Sequence, residues 1–195
     1  RFAGDAVAGL RPSAACRLGV GRTFQVVRPF TNMTVLENVM VGMHSRTRAG
    51  FLGGVFHPPG ERKEEKKIRE KAESLLDLFG LLPKADWMPG HLSIAEQKRL
   101  EISRAMASEP ELLLLDEPVA GLNIRETEAL GDLIIQLKKR GQTIILVEHD
   151  MSIVMSISQR IMVLNFGEKI AEGTPEVIQN HPEVIKAYLG ETAKI

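Results

Sequence analysis

The chain reads as an α/β protein with a mostly parallel sheet at its core and a helical subdomain beside it. Three stretches carry this reading. Leu112-Leu113-Leu114-Leu115 is an unbroken apolar run that ends in Asp116-Glu117-Pro118. A strand buried on both faces of a parallel sheet has this pattern, and ligands of open α/β sheets gather beyond the carboxyl ends of such strands. Residues 112–148 continue as strand, helix and strand, a βαβ crossover. Residues 34–108 follow helical periodicity over most of their length. At the end of the apolar run, Asp116 is placed to hold a cation and Glu117 to handle a water.

Each element has a local reason. Thr34 followed by Glu37 satisfies the capping-box rule for a helix start, and Ile68 to Phe79 is amphipathic. Between them lies a looser insert. Residues 49–60 hold four glycines and two prolines, and residues 61–71 carry four acidic and six basic side chains, the composition of a solvated helix face. Asn123 with Glu126 three positions later predicts the start of the crossover helix, whose buried stripe is Leu130, Leu133, Ile134 and Leu137. Lys138, Lys139 and Arg140 suit its negative end, and Gly141 stops it. The second strand runs from Thr143 to Glu148. Parallel strands present their carboxyl ends to one edge, so Glu117 and His149 are expected to share it despite a separation of 32 positions in sequence. Ile161–Asn165 and residues 168–172 read as two further strands joined at Phe166-Gly167, expected to extend the sheet. Pro175 and Pro182 each sit in the first turn of a closing helix.

Composition narrows the partners. The 25 basic and 25 acidic residues cancel, so no global field favours nucleic acid or an anionic bilayer. The single cysteine, Cys16, can form no internal disulfide and matches no metal-ligand spacing. No apolar stretch approaches the roughly 18 to 20 residues that cross a bilayer. A soluble chain, or one docked on a membrane protein, is expected.

Four short motifs occur in order: Gly21-Arg22-Thr23-Phe24-Gln25; Leu92-Ser93-Ile94-Ala95-Glu96-Gln97-Lys98-Arg99-Leu100; Asp116-Glu117-Pro118 with Ala120-Gly121-Leu122-Asn123; and Glu148-His149-Asp150. Together they resemble the glutamine loop, signature helix, Walker B strand with D-loop, and switch histidine of the ATP-binding-cassette ATPases. Within that superfamily, Arg22-Thr23-Phe24-Gln25, Lys98-Arg99-Leu100-Glu101-Ile102, His149-Asp150-Met151 and Tyr188-Leu189-Gly190 look like the ATPase subunits of branched-chain amino-acid importers.

The resemblance implies a P-loop NTPase fold and an ATP-hydrolysing transport subunit using ATP and Mg²⁺. It implies domains at residues 1–25 (core with glutamine loop), 26–108 (helical subdomain), 109–172 (catalytic core) and 173–195 (C-terminal helices). Asp116 and Gln25 are the implied metal ligands, Glu117 the base, and His149 a γ-phosphate donor, with Gln25 also in the catalytic group. Ser93, Ile94, Ala95 and Glu96 of the signature, together with Asn123, are the implied contacts to ATP. The implied partners are a second ATPase subunit and transmembrane permeases docked near residues 26–50, which would hold the chain at the cytoplasmic face of the inner membrane as a peripheral subunit. A lipopolysaccharide-export ATPase and a non-catalytic truncated cassette are the alternatives.

Two departures qualify the expectation. The signature carries Ala95 and Glu96 where the family has glycine and glutamine. A carboxylate about 6 Å from phosphate, at an effective dielectric of about 20, is repelled by roughly 2 to 3 kcal/mol per unit charge. Weakened signature function follows unless Glu96 turns back to its own helix start. No Gly-x-x-x-x-Gly-Lys-[Ser/Thr] cradle occurs in the 195 residues. The family places that Walker A loop ahead of the glutamine loop, so it is expected before Arg1, and the chain without it is expected to bind ATP weakly.

Overall fold

A computed structural model describes residues 2, 4, 6–23, 27–43 and 59–189 and, in the last stretch, the side chains of 65–187. Gln25, residues 49–58 of the glycine-rich stretch and Gly190 of the tail lie outside the described residues. The chain divides into two compact units, Arg1–Val147 and Glu148–Ile195.

The first unit is built on three parallel strands, β1 (Val20–Arg22), β2 (Leu112–Asp116) and β3 (Thr143–Val147), in the order β1-β2-β3. The tetraleucine strand is central and paired on both edges, with Arg22 opposite Leu114 and Asp116 opposite Val147. Leu113 and Leu115 are fully buried, whereas Leu112 and Leu114 are only half-buried, and Ile145 and Val147 on β3 are 50% and 56% exposed. The expected two-sided burial therefore holds on one face only among the described residues.

The crossover helix, α5 (Ile124–Lys139), starts and stops as its sequence dictates. Asn123 accepts from the Glu126 N–H while the Glu126 carboxylate accepts from the Asn123 N–H, both at 3.0 Å. Leu130, Leu133, Ile134 and Leu137 are buried, and Gly141 leaves the helix at φ 93°. A short helix, α1 (Pro12–Arg17), precedes β1.

The helical layer comprises α2 (Val35–Met43), α3 (Pro59–Leu78) and α4 (Ile94–Met106), with two short 3₁₀ turns, Leu82–Lys84 and Pro89–His91, joining the last two. Thr34 and Glu37 form the predicted reciprocal cap of α2, at 2.7 and 3.2 Å. Along α3, Glu65, Lys66 and Lys67 are exposed, and Arg69 pairs with Glu73 at 2.9 Å. Its inward stripe, Ala72 and Leu76 continuing to Phe79, is fully buried. Asn38 on α2 is wholly enclosed and serves as an anchor for the loop ahead of its own helix. Its Oδ1 accepts from Phe30 N–H, and its Nδ2 donates to the carbonyls of Phe30, Met33 and Thr34. No described helix is long and apolar enough to cross a membrane.

The second unit holds α6 (Met151–Ile157), β4 (Ile161–Asn165), β5 (Glu168–Gly173), α7 (Pro175–Gln179) and α8 (Pro182–Leu189). The two strands do not extend the parallel sheet as expected. They pair with each other as an antiparallel hairpin across the two-residue turn Phe166-Gly167, with φ 47° and 83°. Two successive positive φ values are the turn geometry that matches the twist of a hairpin, and so short a connection leaves antiparallel pairing as the natural result. Ile178 of α7 and Val184 of α8 are buried, and both helices lie against β5.

The crossing of α2 and α4 yields a test. A Cβ on Gly42 would lie 2.3 Å from the Arg104 carbonyl oxygen and 2.9 Å from Ala107 Cβ. Helix propensity alone would favour alanine by about 0.5 to 1 kcal/mol, but backbone overlap in a packed interior costs about 1 to 3 kcal/mol. Gly42→Ala is therefore expected to lower the urea midpoint; an unchanged or raised midpoint would show that the helices separate freely.

Candidate functional site

Parallel pairing brings two of the four sequence motifs together in the first unit. Because β1 lies beside β2, Arg22 and Thr23 reach the end of the apolar strand. The Arg22 guanidinium donates to Asp116 Oδ2 at 3.0 Å. Thr23, buried, donates its N–H to the Leu114 carbonyl at 3.0 Å, and its hydroxyl accepts from Asp116 N–H at 3.3 Å. The metal-ligand candidate thus arrives held by the segment that leads into Gln25.

Glu117 sits one residue beyond the strand and breaks its geometry. Its φ is 45°, a left-handed value that few residues other than glycine adopt. The strand direction ends there, while the Glu117 N–H still donates to the Val147 carbonyl at 2.9 Å. The Glu117 carbonyl accepts from Nζ of Lys98 on α4, also at 2.9 Å, so the second motif touches the third. Sequence reading assigned Lys98 no role. Its signal was helical spacing: Lys98 falls between Ala95 and Ile102 on the buried stripe of α4, where a lysine has to find a partner.

The signature helix opens on a complete capping box. Ser93 Oγ accepts from Glu96 N–H at 3.3 Å, and Glu96 Oε2 accepts from Ser93 N–H at 3.0 Å. Glu96 has therefore turned back to its own helix start. Its other oxygen is paired with Lys84 Nζ at 2.5 Å, and that ammonium also lies 4.7 Å from the Trp87 ring centroid. Burial pushes the Glu96 carboxyl up, but Lys84, the Ser93 N–H and the Arg99 charge together hold it below its ordinary 4.5. A cation this close leaves little net charge in view of an anion several ångströms away, which removes the repulsion expected of a bare carboxylate. Ala95 is buried, so its methyl packs inward and does not stand at the helix entrance, whereas Ile94 is 59% exposed there.

Asn123 occupies the N-cap of α5 with its side-chain oxygen in the capping box. His149 belongs to the second unit, two residues past Val147 in the chain. Its ring is largely exposed, with Nδ1 3.8 Å from the Glu148 carboxylate, which also accepts the His149 N–H at 3.1 Å. Asp150 caps α6 through Ser152, whose hydroxyl and N–H hold the Asp150 carboxyl below its ordinary range. Among the described residues no cluster of three or more metal-ligating side chains occurs. A magnesium ion that keeps phosphate oxygens and water asks a protein for only one or two carboxylates, and Asp116 at a partly open strand end supplies one.

The model of the ABC transporter family matches residues 2–120, more than half of the chain. This chain belongs to the ABC transporter family. A second model, described as branched-chain amino acid ATP-binding cassette transporter, matches residues 168–194. The cassette is 46% identical over 184 residues to the high-affinity branched-chain amino acid transport ATP-binding protein LivG of Escherichia coli, covering 94% of this chain and 72% of that protein. It is 45% identical over 192 residues to BraF, the corresponding protein of Pseudomonas aeruginosa, covering 98% and 75%. Among solved structures, the ADP conformation of the cassette MJ1267 superposes with a TM-score of 0.78 at 30% identity, covering 96% of this chain and 74% of that one. A dimeric post-hydrolysis cassette, MJ0796 bound to ADP and Pi, reaches 0.68 at 25% identity, covering 86% and 68%. The fold is that of a nucleotide-binding cassette, and the resemblance drawn from four motifs is a family membership.

The ion pair of the signature helix is testable by its pH dependence. A carboxyl whose folded value is depressed contributes stability above its unfolded value and loses it as the pH falls through the folded value. Lys84→Met is therefore expected to destabilise the chain at neutral pH by about 0.2 to 1 kcal/mol, the range of partly exposed pairs. The gap from the parent should close as the pH drops below 4.5. Urea titrations across that range measure it, and a gap independent of pH would assign the loss to packing against Trp87.

Proposed function

We propose that this chain is the ATP-hydrolysing subunit that energises import of branched-chain amino acids. The observation that carries the hydrolytic part is the meeting of three motifs at the end of β2: Arg22 and Thr23 on one side, Asp116-Glu117 in the middle, and Lys98 of the signature helix beneath. The importer branch rests on the family model over residues 168–194 and on LivG and BraF, both named as branched-chain amino acid transport proteins.

Hydrolysis of ATP needs charge neutralisation and a positioned water. Asp116, with Gln25, is the residue that would hold Mg²⁺, and the Arg22 guanidinium now on its carboxylate is an exposed cation in the place where the metal's charge would act. Bound Mg²⁺ supplies charge neutralisation at the phosphates. Glu117 orients the attacking water and accepts its proton. His149, exposed and near a carboxylate, donates to the γ-phosphate. The capped start of α4, with Ser93, Ile94 and Ala95, faces ATP held by a second cassette subunit, and Glu96 acts from within its cap and not as a phosphate contact. Asn123 stands with the D-loop at that same subunit boundary.

Permease contact is assigned to the surface of α2. Asn32, Met33, Glu37, Met40 and Val41 line a pocket of about 380 Å³ there, within the span expected to meet the transmembrane partner. Methionines adapt to the shape of an inserted helix. Through that contact the subunit lies peripherally at the cytoplasmic face of the membrane.

Loss of a positioned base slows turnover by roughly 10² to 10⁴. In the assembled transporter Glu117→Gln is expected to retain ATP while phosphate release nearly stops; unchanged release removes Glu117 from the mechanism. For the docking surface, Met40→Glu is expected to abolish co-purification with the permease while leaving the melting temperature near that of the parent. Undiminished co-purification would place the permease elsewhere.

A further inference from the structure

Lys98 is 5% exposed, in the second turn of α4 and on its inward stripe. Burying an ammonium is costly, and an apolar side chain of similar volume would fill the space at less cost. What the ammonium gains is direction. Nζ lies 2.9 Å from the carbonyl oxygen of Glu117, a residue 19 positions away at the end of β2.

That carbonyl belongs to a residue whose backbone is under constraint. At φ 45° Glu117 occupies a region that a glutamate holds only when its surroundings enforce it. Three hydrogen bonds do so: the N–H is held by the Val147 carbonyl of β3 at 2.9 Å, and the C=O accepts both from the Ala120 N–H of its own turn at 3.2 Å and from Lys98, the one hold on it that comes from α4. With both peptide groups tied, φ and ψ are set, and the direction of the Cα–Cβ bond follows from them. Pro118 comes next and permits its neighbour little relaxation.

We propose that Lys98 is a positioning residue that clamps the backbone of Glu117, and that it makes the aim of the Glu117 carboxylate depend on the seating of the signature helix. The same rigid α4 carries Ser93 at its start and Lys98 five residues later, so a displacement at the helix entrance reaches Glu117 through one side chain. This deepens the functional reading above and rests on Glu117 as the group that orients water.

The test uses the assembled transporter and two substitutions. Lys98→Met keeps the stem and deletes the donor; Lys98→Arg keeps a donor and a charge. Misaim of a reacting group by about 1 Å costs up to 10²-fold, so Lys98→Met is expected to lower kcat at least tenfold. KM for ATP should stay within about twofold, and Lys98→Arg should recover most of kcat, since only transition-state interactions are affected. Amide hydrogen exchange at Glu117 should accelerate in Lys98→Met and return to the parental rate in Lys98→Arg. If Lys98→Met fails to assemble, Lys98→Gln, polar but too short to reach, takes its place with the same expected readouts. An unchanged kcat in Lys98→Met beside a Glu117→Gln variant that does not turn over overturns the clamp, as does unaltered exchange at Glu117. Normal turnover in Glu117→Gln overturns the catalytic reading instead, and the exchange result then decides the clamp alone.

Discussion

Everything in the first unit is referred to a single strand that is hydrogen-bonded along both edges. Parallel pairing admits no freedom of register once Leu112 lies opposite both Val20 and Thr143, because each further residue repeats the same slanted bond. From that lock follow the approach of Arg22 to Asp116, the capture of Glu117 N–H by Val147, and the level at which α4 meets the strand end. A slip of one residue would turn Leu113 and Leu115 to solvent and Asp116 to the opposite face. The hydrophobic requirement of two leucines thus sets the position of a carboxylate.

Helices contribute through their ends and their buried polar groups. Three reciprocal caps, at Thr34, Ser93 and Asn123, fix where α2, α4 and α5 begin, and two of those caps fall within motifs assigned to nucleotide chemistry. Capping and anion contact draw on the same orphan N–H groups, and Ser93 already serves the fold through its cap. Inside the layer, Asn38 and Lys98 are enclosed polar groups that tie a loop and a strand end to helices. Each converts an apolar contact, which tolerates sliding, into one with a defined direction.

The departures in the signature motif acquire a physical account in the same terms. Glutamate in place of glutamine would set an anion beside phosphate, and the structure answers with Lys84 on one oxygen and the Ser93 N–H on the other. Nothing in the span Leu92–Leu100 announces Lys84, which closes the 3₁₀ turn Leu82–Lys84 and is separated from that span by a second one, Pro89–His91. Alanine in place of glycine proves inward-facing. Both substitutions are compatible with an open helix entrance because of neighbours the motif does not contain.

The amino-acid sequence by itself determined the local elements and the family. Apolar run, capping pairs, buried stripe and turn glycine belong to contiguous residues, so β2, α5 and β3 were legible to within a residue. Motif order over more than 100 positions named the superfamily. Only the tertiary structure decided what depends on distant partners: the separate hairpin of β4 and β5, the exposed face of β3, the Arg22–Asp116 pair, the Lys84–Glu96 pair and the hold of Lys98 on Glu117. The reason is physical. Secondary structure is set by interactions a few residues apart, which periodicity records, whereas a charge finds its partner across 12, 19 or 94 residues, and no spacing rule encodes that meeting.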